Sequence, residues 1–178
     1  MKIVNYISGK DLGGPKQSFI LYSEALSSLG HEVHSIVRKG ASIKPMIENL
    51  GLSVYEIDYS RGSQLFAKNT VIKKLKIQFD SIQADLVFCH KQSDLELIRS
   101  TVGNNTKIIG VIHWFSYKHI DLADELIAVS EKVKKFLIDN DYKKPIHVIP
   151  NMVKTSSEPF LRRKSPIAPI SGTSGKSR

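Results

Sequence analysis

The segment from Asp124 to Val153 constrains the fold most strongly, because it combines two short apolar runs with an amphipathic stretch between them. Leu126 to Val129 predicts a strand that is buried on both faces, as parallel strands are. Ser130 can cap the helix that follows, and His147 to Ile149 predicts a second buried strand. A strand, a helix and a strand in this order form a right-handed βαβ unit. The chain is therefore expected to contain a parallel sheet.

The same alternation of strands and helices extends back to the N-terminus. The pattern predicts five further strands, over Lys2–Ser8, Glu32–Val37, Leu52–Ile57, Ala84–His90 and Lys107–His113. It also predicts one helix that begins at Pro15 and others over Ile43–Leu50, Ser63–Gln83 and Ser93–Thr101. The first helix has one apolar stripe, formed by Phe19, Tyr22, Leu26 and Leu29, and Gly30 is expected to end it. These elements predict an α/β, Rossmann-like, doubly wound fold with a mainly parallel sheet of six or seven strands.

Length and composition limit the class of protein. The 178 residues allow one domain with a well-buried core. The single cysteine, Cys89, lies in an apolar run without a partner for a disulfide, which predicts a cytoplasmic protein. No apolar run approaches the roughly twenty residues of a membrane-spanning helix, and the N-terminus lacks the pattern of a signal peptide. The scattered histidines show no metal-ligand spacing, so no metal site is expected.

Positive charge is concentrated after Val153. The formal net charge is +9, and residues 154–178 carry six basic side chains against one acidic side chain. This segment is rich in Pro, Ser and Gly and has no apolar period. We therefore expect a folded domain over residues 1–153 and a basic linker or disordered tail over 154–178. The charge favours anionic partners, but the basic residues are not interleaved with stacking aromatic residues, so nucleic acid is not expected.

A glycine-rich turn follows the first strand, from Gly9 to Gly14. Glycines let a backbone approach an anion closely, and a helix that begins at Pro15 would direct free N–H groups and its positive dipole end at a phosphate. Gly13 and Gly14 are therefore candidate phosphate-binding residues. A plain tight connection between strand and helix is the alternative that spacing alone leaves open.

Two of the predicted strands end in histidine, at His90 and His113. In an open parallel sheet, ligands bind beyond the carboxyl ends of the strands, so both side chains should face the crevice that the glycine-rich turn borders. A lone histidine at a strand end is usually structural, whereas two at equivalent ends favour a functional role. Trp114 follows His113 and either lines the pocket or fills the core.

Three motifs resemble the N-terminal domain of the GT-B glycosyltransferases, in particular the retaining family 4. The first is the Gly13-Gly14 pair, followed by a leucine-striped helix and the sequence Gly-His-Glu-Val. The second is the strand from Asp85 to His90, and the third is the segment that opened this section, which ends in Val-Ile-Pro-Asn at Asn151. The family usually has glycine after that asparagine, where this chain has Met152.

The resemblance implies transfer of a sugar from a nucleotide diphosphate sugar, as donor substrate and without a cofactor, to a hydroxyl acceptor. In many such enzymes the acceptor is lipid-linked, which implies a role in cell-envelope glycan or glycolipid synthesis. Retaining enzymes of this class use the leaving phosphate as the base, so no protein base is required. The resemblance implies that His113 is the catalytic histidine, near the reacting sugar. The binding residues that it implies are Gly13, Gly14, His90, Lys91, Trp114, Ser130 and Asn151.

In relatives of this family, a linker leads to a second Rossmann-like domain that binds the donor. Residues 154–178 would be that linker, and residues 1–178 alone are expected to be inactive without a donor half in cis or in trans. The long predicted helix exposes Lys68, Lys73, Lys74 and Lys76. They predict either a solvated helix face or a peripheral contact with anionic lipid on the inner membrane face.

Two other functional classes remain open on sequence alone. A non-catalytic binding module, or a subunit that binds lipid or glycan head groups, would share every feature except the second domain. An NADP-dependent reductase would explain the glycines after the first strand and Arg38-Lys39 after the second. Against it, Pro15 occupies the third glycine position of the dinucleotide-binding motif.

Overall fold

The structure, a computed structural model, describes residues 1–10, 13–59 and 64–151. Within these ranges the strands are β1 (Lys2–Ile7), β2 (Glu32–Arg38), β3 (Ser53–Ile57), β4 (Leu86–Cys89), β5 (Lys107–Ile112), β6 (Glu125–Ala128) and β7 (Ile146–Val148). The helices are α1 (Gly14–Ser28), α2 (Lys44–Glu48), α3 (Gln64–Ile82), α4 (Leu95–Arg99) and α5 (Glu131–Asp139). The predicted linker or tail, Met152 and parts of the glycine-rich turn lie outside the described residues.

All of these strands pair in parallel in one sheet, in the order β3-β2-β1-β4-β5-β6-β7. The predicted strands are present, and their ends lie within one or two residues of the predicted positions. The strand order reverses between β1 and β4, which makes this point the topological switch of the sheet. The prediction of an α/β, Rossmann-like, mainly parallel sheet of six or seven strands is therefore confirmed.

Helix α1 packs its predicted apolar stripe on the sheet, with one exception. Phe19 and Tyr22 are buried, and Leu26 packs beside the cluster that contains Tyr22. Leu29 is 73% exposed, so its assignment to the stripe is wrong. The helix ends at Ser28, and Leu29 lies at the C-cap with its side chain in solvent. Gly30 then adopts φ +81°, the left-handed conformation that ends many helices.

Helix α5 confirms the predicted βαβ unit. The prediction that its second strand is buried is wrong, because β7 is the edge strand of the sheet and its three residues are partly or fully exposed. The N–H of Val133 donates to Ser130 Oγ at 3.2 Å, which satisfies one of the free donors of the first helical turn. Val133 and Leu137 are buried, and Asp141 adopts φ +64° just after the helix. Strands β6 and β7 therefore lie side by side with α5 as their crossover.

The chain after β4 differs from the single helix predicted over Ser93–Thr101. It forms a 3-10 turn at Gln92–Asp94 and then the short helix α4. The hydroxyls of Ser100 and Thr101 donate to the carbonyls of Glu96 and Leu97, at 2.8 and 2.7 Å. Such side-chain bonds to the preceding turn compete with helix continuation, which gives a physical reason for the early end.

Two contacts fix β5 against its neighbours. A Cβ built on Gly110 would lie 2.8 Å from Leu126 Cδ2, so the sheet has no room for a side chain there. The Asp124 carboxylate accepts a bond from the Ile108 N–H at 2.7 Å and another from the Arg99 guanidinium at 2.7 Å. This carboxylate therefore ties α4 to the start of β5.

Two surface features bear on the sequence predictions. Trp114 is 72% exposed, so the alternative that it fills the core is wrong. Lys68 on α3 forms an ion pair with Glu96 at 2.8 Å, whereas Lys73, Lys74 and Lys76 are exposed. No described helix combines the length and the apolar character that a membrane span requires.

Candidate functional site

The candidate site lies beyond the carboxyl ends of β1, β4 and β5, at the switch point where ligands bind in open parallel sheets. Three chain segments meet there. Gly13 precedes α1, His90 and Lys91 follow β4, and His113 follows β5. Because β1 and β4 are adjacent and β4 pairs with β5, these segments are neighbours in space.

The rings of His90 and His113 stack with their centroids 5.7 Å apart and an interplanar angle of 25°. His90 is only 2% exposed, and the edges of Phe19 and Tyr22 pack against it with centroids at 5.4 and 5.0 Å. Among the described residues, none hydrogen-bonds the ring nitrogens of either histidine. The prediction that the two strand ends bring both histidines to one place is therefore correct.

Burial sets the charge of this pair. It lowers the pKa of His90 well below the usual value, and the proximity of His113 lowers it further. Burial also lowers the pKa of His113 to about 4. Both imidazoles are therefore neutral near pH 7, and each has one N–H donor and one acceptor nitrogen, which are shielded from solvent.

Two adjoining cavities open around this pair. The first, here called the glycine cavity, has a volume of about 250 Å³ and includes Gly9, Gly13 and Lys16 in its lining. The second, the histidine cavity, has a volume of about 230 Å³ and includes His113 and Trp114. Both cavities share Pro15, His90 and Lys91 as lining residues.

Gly13 and Gly14 have free space beside them among the described residues. A Cβ on Gly13 or Gly14 would meet no described heavy atom within 4 Å, and both residues are exposed. Gly13 is the N-cap of α1, with extended backbone, and Gly14 is the first helical residue. Gly9 is more confined, because a Cβ there would lie 3.1 Å from Lys16 Cε.

Two lysines, Lys16 and Lys91, line the glycine cavity. Lys91 is exposed, and its Nζ lies 3.4 Å from Ser8 Oγ. Lys16 is 4% exposed, and the sequence prediction did not include it. Its position in the first turn of α1, two residues after the Gly13-Gly14 pair, is the signal that could have identified it.

The remaining predicted site residues lie at different distances from this centre. Trp114 lines the histidine cavity and contacts Phe115, with ring centroids 5.9 Å apart. Ser130 caps α5, and Asn151 is exposed after β7; neither lines the two cavities. In the part of the chain that the structure describes, no three His, Cys, Asp or Glu side chains cluster in a way that could hold a metal ion.

Comparison with known proteins gives one family match. The model for Glycosyltransferase Family 4 matches residues 12–157 of this chain. No curated protein matches the sequence at a significant level.

Solved structures give a consistent picture of the fold. The structure of HepE from Anabaena, in complex with UDP and glucose, has a TM-score of 0.69 at 15% identity and is matched over 85% of this chain and 44% of that one. A glycosyltransferase from Rickettsia africae has a TM-score of 0.67 at 18% identity, over 83% and 42% of the two chains. The lipopolysaccharide outer core galactosyltransferase WaaB has a TM-score of 0.64 at 17% identity, and the match covers 92% of this chain and 50% of that one. The chain therefore spans about half the length of these proteins or less.

Proposed function

The chain belongs to glycosyltransferase family 4, and from this we propose that residues 1–153 form the acceptor-side domain of a sugar-transferring enzyme. The reaction would move a sugar from a nucleotide diphosphate sugar to a hydroxyl acceptor. The observation that carries the proposal is the stack of His90 and His113 beside the glycine cavity, at the switch point of the sheet.

The neutral state of the histidine pair supports a role with sugar hydroxyls. A neutral imidazole can donate one hydrogen bond and accept another, which matches a hydroxyl group as partner. His113 is the less buried of the two and lines the histidine cavity, so it would contact the reacting sugar or the incoming hydroxyl. His90 lies behind it and would hold its ring in place, since His90 packs between Tyr22, Phe19 and His113.

The glycine cavity would hold the diphosphate of the donor at its charged edge, since most of its exposed lining is apolar. Lys91 lines it with a cationic side chain, and α1 begins at its edge. The positive end of a helix dipole and a lysine both stabilise phosphate oxygens. Charge that develops on the departing diphosphate would be stabilised in the same way.

The donor half belongs to the same proposal. The chain spans 44% of HepE and 50% of WaaB, so the nucleotide-binding half would be supplied in cis or in trans. Residues 1–178 alone would then bind nucleotide sugars very weakly and turn none over. The cytoplasmic location, the cell-envelope product and a peripheral contact of Lys73, Lys74 and Lys76 with anionic lipid are further parts of the proposal.

The experiment is an NMR titration of the ¹⁵N-labelled chain with pyrophosphate and, separately, with UDP-glucose. We expect the amide shifts to change at Gly13, Gly14, Lys16 and Lys91. Lys91→Ala should weaken pyrophosphate binding several-fold, as loss of a charge-assisted contact does. The matched control is Lys132→Ala, an exposed lysine on α5, which should leave binding unchanged. Shifts spread evenly over the lysines, with no effect of Lys91→Ala, would contradict the proposed phosphate site.

A further inference from the structure

Three aromatic side chains in the loop after β5 lie largely in solvent. Residues 114–118 form neither helix nor strand, and the exposed fractions of Trp114, Phe115 and Tyr117 are 72%, 47% and 60%. Large aromatic side chains are mostly buried in folded proteins, so three in one short loop make an unusual surface. A contiguous apolar surface of this kind marks a site of interaction with a protein or a membrane.

The exposed rings form one continuous cluster with a ring on α5. The ring centroids of Trp114 and Phe115 are 5.9 Å apart. Phe136 on α5 is partly buried, and its ring centroid lies 5.5 Å from that of Phe115 and 6.3 Å from that of Tyr117. These four residues are called the aromatic patch below.

The loop is fixed beside the histidine cavity. Gln92 Nε2 donates to the carbonyl of Ser116 at 2.7 Å, and both residues line this cavity together with Trp114. His113 directly precedes Trp114 in the chain and lines the same cavity. The aromatic patch therefore borders the candidate site and is held there by contacts to two other segments.

Positive charge flanks the aromatic patch. Lys118 ends the loop, and Lys132 lies one turn before Phe136 on the same face of α5. Both lysines are exposed, and neither forms an ion pair with a described residue. The loop contains no acidic residue, and Asp139 at the end of α5 is paired with Lys135. This surface therefore favours an anionic partner.

The composition of this surface matches the interface of a phospholipid bilayer. Trp and Tyr have an apolar body and a polar tip, and they are enriched where head groups meet acyl chains. Lysine side chains beside them can reach the lipid phosphates, and each one strengthens binding to anionic lipid. Protein interfaces also contain many aromatic residues but are depleted in lysine, which favours the bilayer as partner.

We propose that the aromatic patch inserts into the head-group region of an anionic phospholipid bilayer. Its exposed rings would lie among the lipid head groups, and Lys118 and Lys132 would pair with lipid phosphates. This contact is separate from the one proposed for the α3 lysines, and bilayer binding itself does not depend on sugar transfer. Only its consequence rests on the proposed function, namely that a lipid-linked acceptor would reach His113 from the bilayer surface.

The test uses Trp114 as the reporter, because it is the only tryptophan in the 178-residue chain. The full chain is titrated with vesicles that contain equal parts of phosphatidylcholine and phosphatidylglycerol. We expect Trp114 emission to shift to shorter wavelength, because the indole leaves water for the bilayer interface. Phosphatidylcholine with brominated acyl chains should quench this emission in the wild-type protein.

Two double variants locate the contact. Phe115→Ser combined with Tyr117→Ser should raise the lipid concentration at the half-maximal shift about tenfold or more, because apolar surface that enters the bilayer is lost. Lys118→Ala combined with Lys132→Ala should raise it about tenfold, because two cationic contacts are lost. The matched control is Leu29→Ser, which should have no effect. Leu29 is 73% exposed and lies just before β2, at the amino end of the strands.

Vesicle binding without a shift of Trp114 emission would overturn the proposal, because the contact would then lie on α3 or on the basic residues 154–178. An unchanged response in the Phe115 and Tyr117 double variant would also overturn it. Acrylamide quenching of Trp114 with the donor-binding half present tests a protein partner. Protection of Trp114 by that half, persisting when vesicles are added, would assign the patch to the half and overturn the bilayer contact.

The outcomes also separate this proposal from the one before it. A shift of Trp114 emission with vesicles, but no response of Gly13 and Lys91 to pyrophosphate, would support the bilayer contact and contradict the proposed phosphate site. A response to pyrophosphate without a shift of Trp114 emission would overturn the bilayer contact alone.

Discussion

His90 and His113 stack with ring centroids 5.7 Å apart, although each follows a different strand. The parallel pairing of β4 with β5 brings their carboxyl ends together. His90 is buried and His113 is partly buried, and within the described residues their ring nitrogens are unbonded and shielded from solvent. Burial keeps both imidazoles neutral near pH 7, and both residues line the histidine cavity.

The buried histidines predict a loss of stability in acid. The unfolded chain binds a proton at each histidine near its usual pKa, whereas folded His113 does so only near pH 4. The free energy of unfolding should therefore fall as the pH drops from about 6.5 to about 4. His113→Phe should reduce this fall by roughly 2 kcal/mol, because it removes one titrating group.

Urea unfolding at pH 7 and pH 4.5, followed by circular dichroism, checks this prediction. His31→Gln is the matched control, since His31 lies between α1 and β2 and forms no ion pair among the described residues. It should retain the pH dependence of the wild-type protein. An equal pH dependence in His113→Phe and the wild type would contradict the burial of His113.

Gly110 should resist substitution. Its Cβ would lie 2.8 Å from the fully buried Leu126 and 3.5 Å from Ala123 and Leu95. Gly110→Ala is therefore expected to lower the free energy of unfolding by about 1 to 3 kcal/mol, as overpacking does. Gly103→Ala, in a loop without a described heavy atom within 4 Å, is the control and should change it by less than about 0.5 kcal/mol. Thermal unfolding measures the stability of both variants. Equal stabilities would show that the Leu126 side chain moves to make room for the added methyl group.

The Asp124 carboxylate should contribute more to the stability of the fold than an exposed carboxylate does. It bonds the Ile108 N–H and the Arg99 guanidinium, both at 2.7 Å. Asp124→Ala is expected to lower the free energy of unfolding by about 1 to 3 kcal/mol, since the Ile108 N–H loses its hydrogen-bond partner. Asp139→Ala removes only a surface pair with Lys135 and should cost about 0.5 kcal/mol or less. Urea unfolding measures the free energy of unfolding of both variants. Equal losses of stability would contradict the inference that the Asp124 carboxylate holds α4 to β5.

The Ser130 cap gives a prediction that originated in the sequence. Its Oγ accepts the Val133 N–H, so Ser130→Ala should cost about 0.5 to 2 kcal/mol. Ser81→Ala near the end of α3 is the control, because Ser81 is exposed and bonds only to the carbonyl of Gln78. Thermal unfolding measures the stability of both variants. A loss of stability in the Ser81 variant as large as that in the Ser130 variant would contradict the capping role of Ser130.

Local patterns predicted most of the fold. Short apolar runs identified the strands, and the Ser130 cap and Gly30 stop identified helix ends, because each depends on neighbouring residues alone. Leu29 was assigned wrongly because a helical period continues past the residue at which the helix actually ends. The helix after β4 was predicted too long for a related reason, since Ser100 and Thr101 bond back to the preceding turn.

The site was predictable only in part. Parallel topology alone brings the histidines together, so two strand-end residues were sufficient to find them. Lys16 was missed, although it lines the glycine cavity and is 4% exposed. A lysine at a helix start is usually exposed, so this residue does not stand out in the sequence.

Sugar transfer measured with His113→Phe most directly tests the claim that His113 acts at the reacting sugar. The assay supplies the donor-binding half in cis or in trans and follows release of nucleotide diphosphate from a panel of nucleotide sugars. The account predicts turnover by the wild-type protein, a loss of about a hundredfold or more in His113→Phe, and little change in His147→Gln. The account would be contradicted if His113→Phe turned over as fast as the wild-type protein. It would also be contradicted if the protein with its donor-binding half turned over no nucleotide sugar.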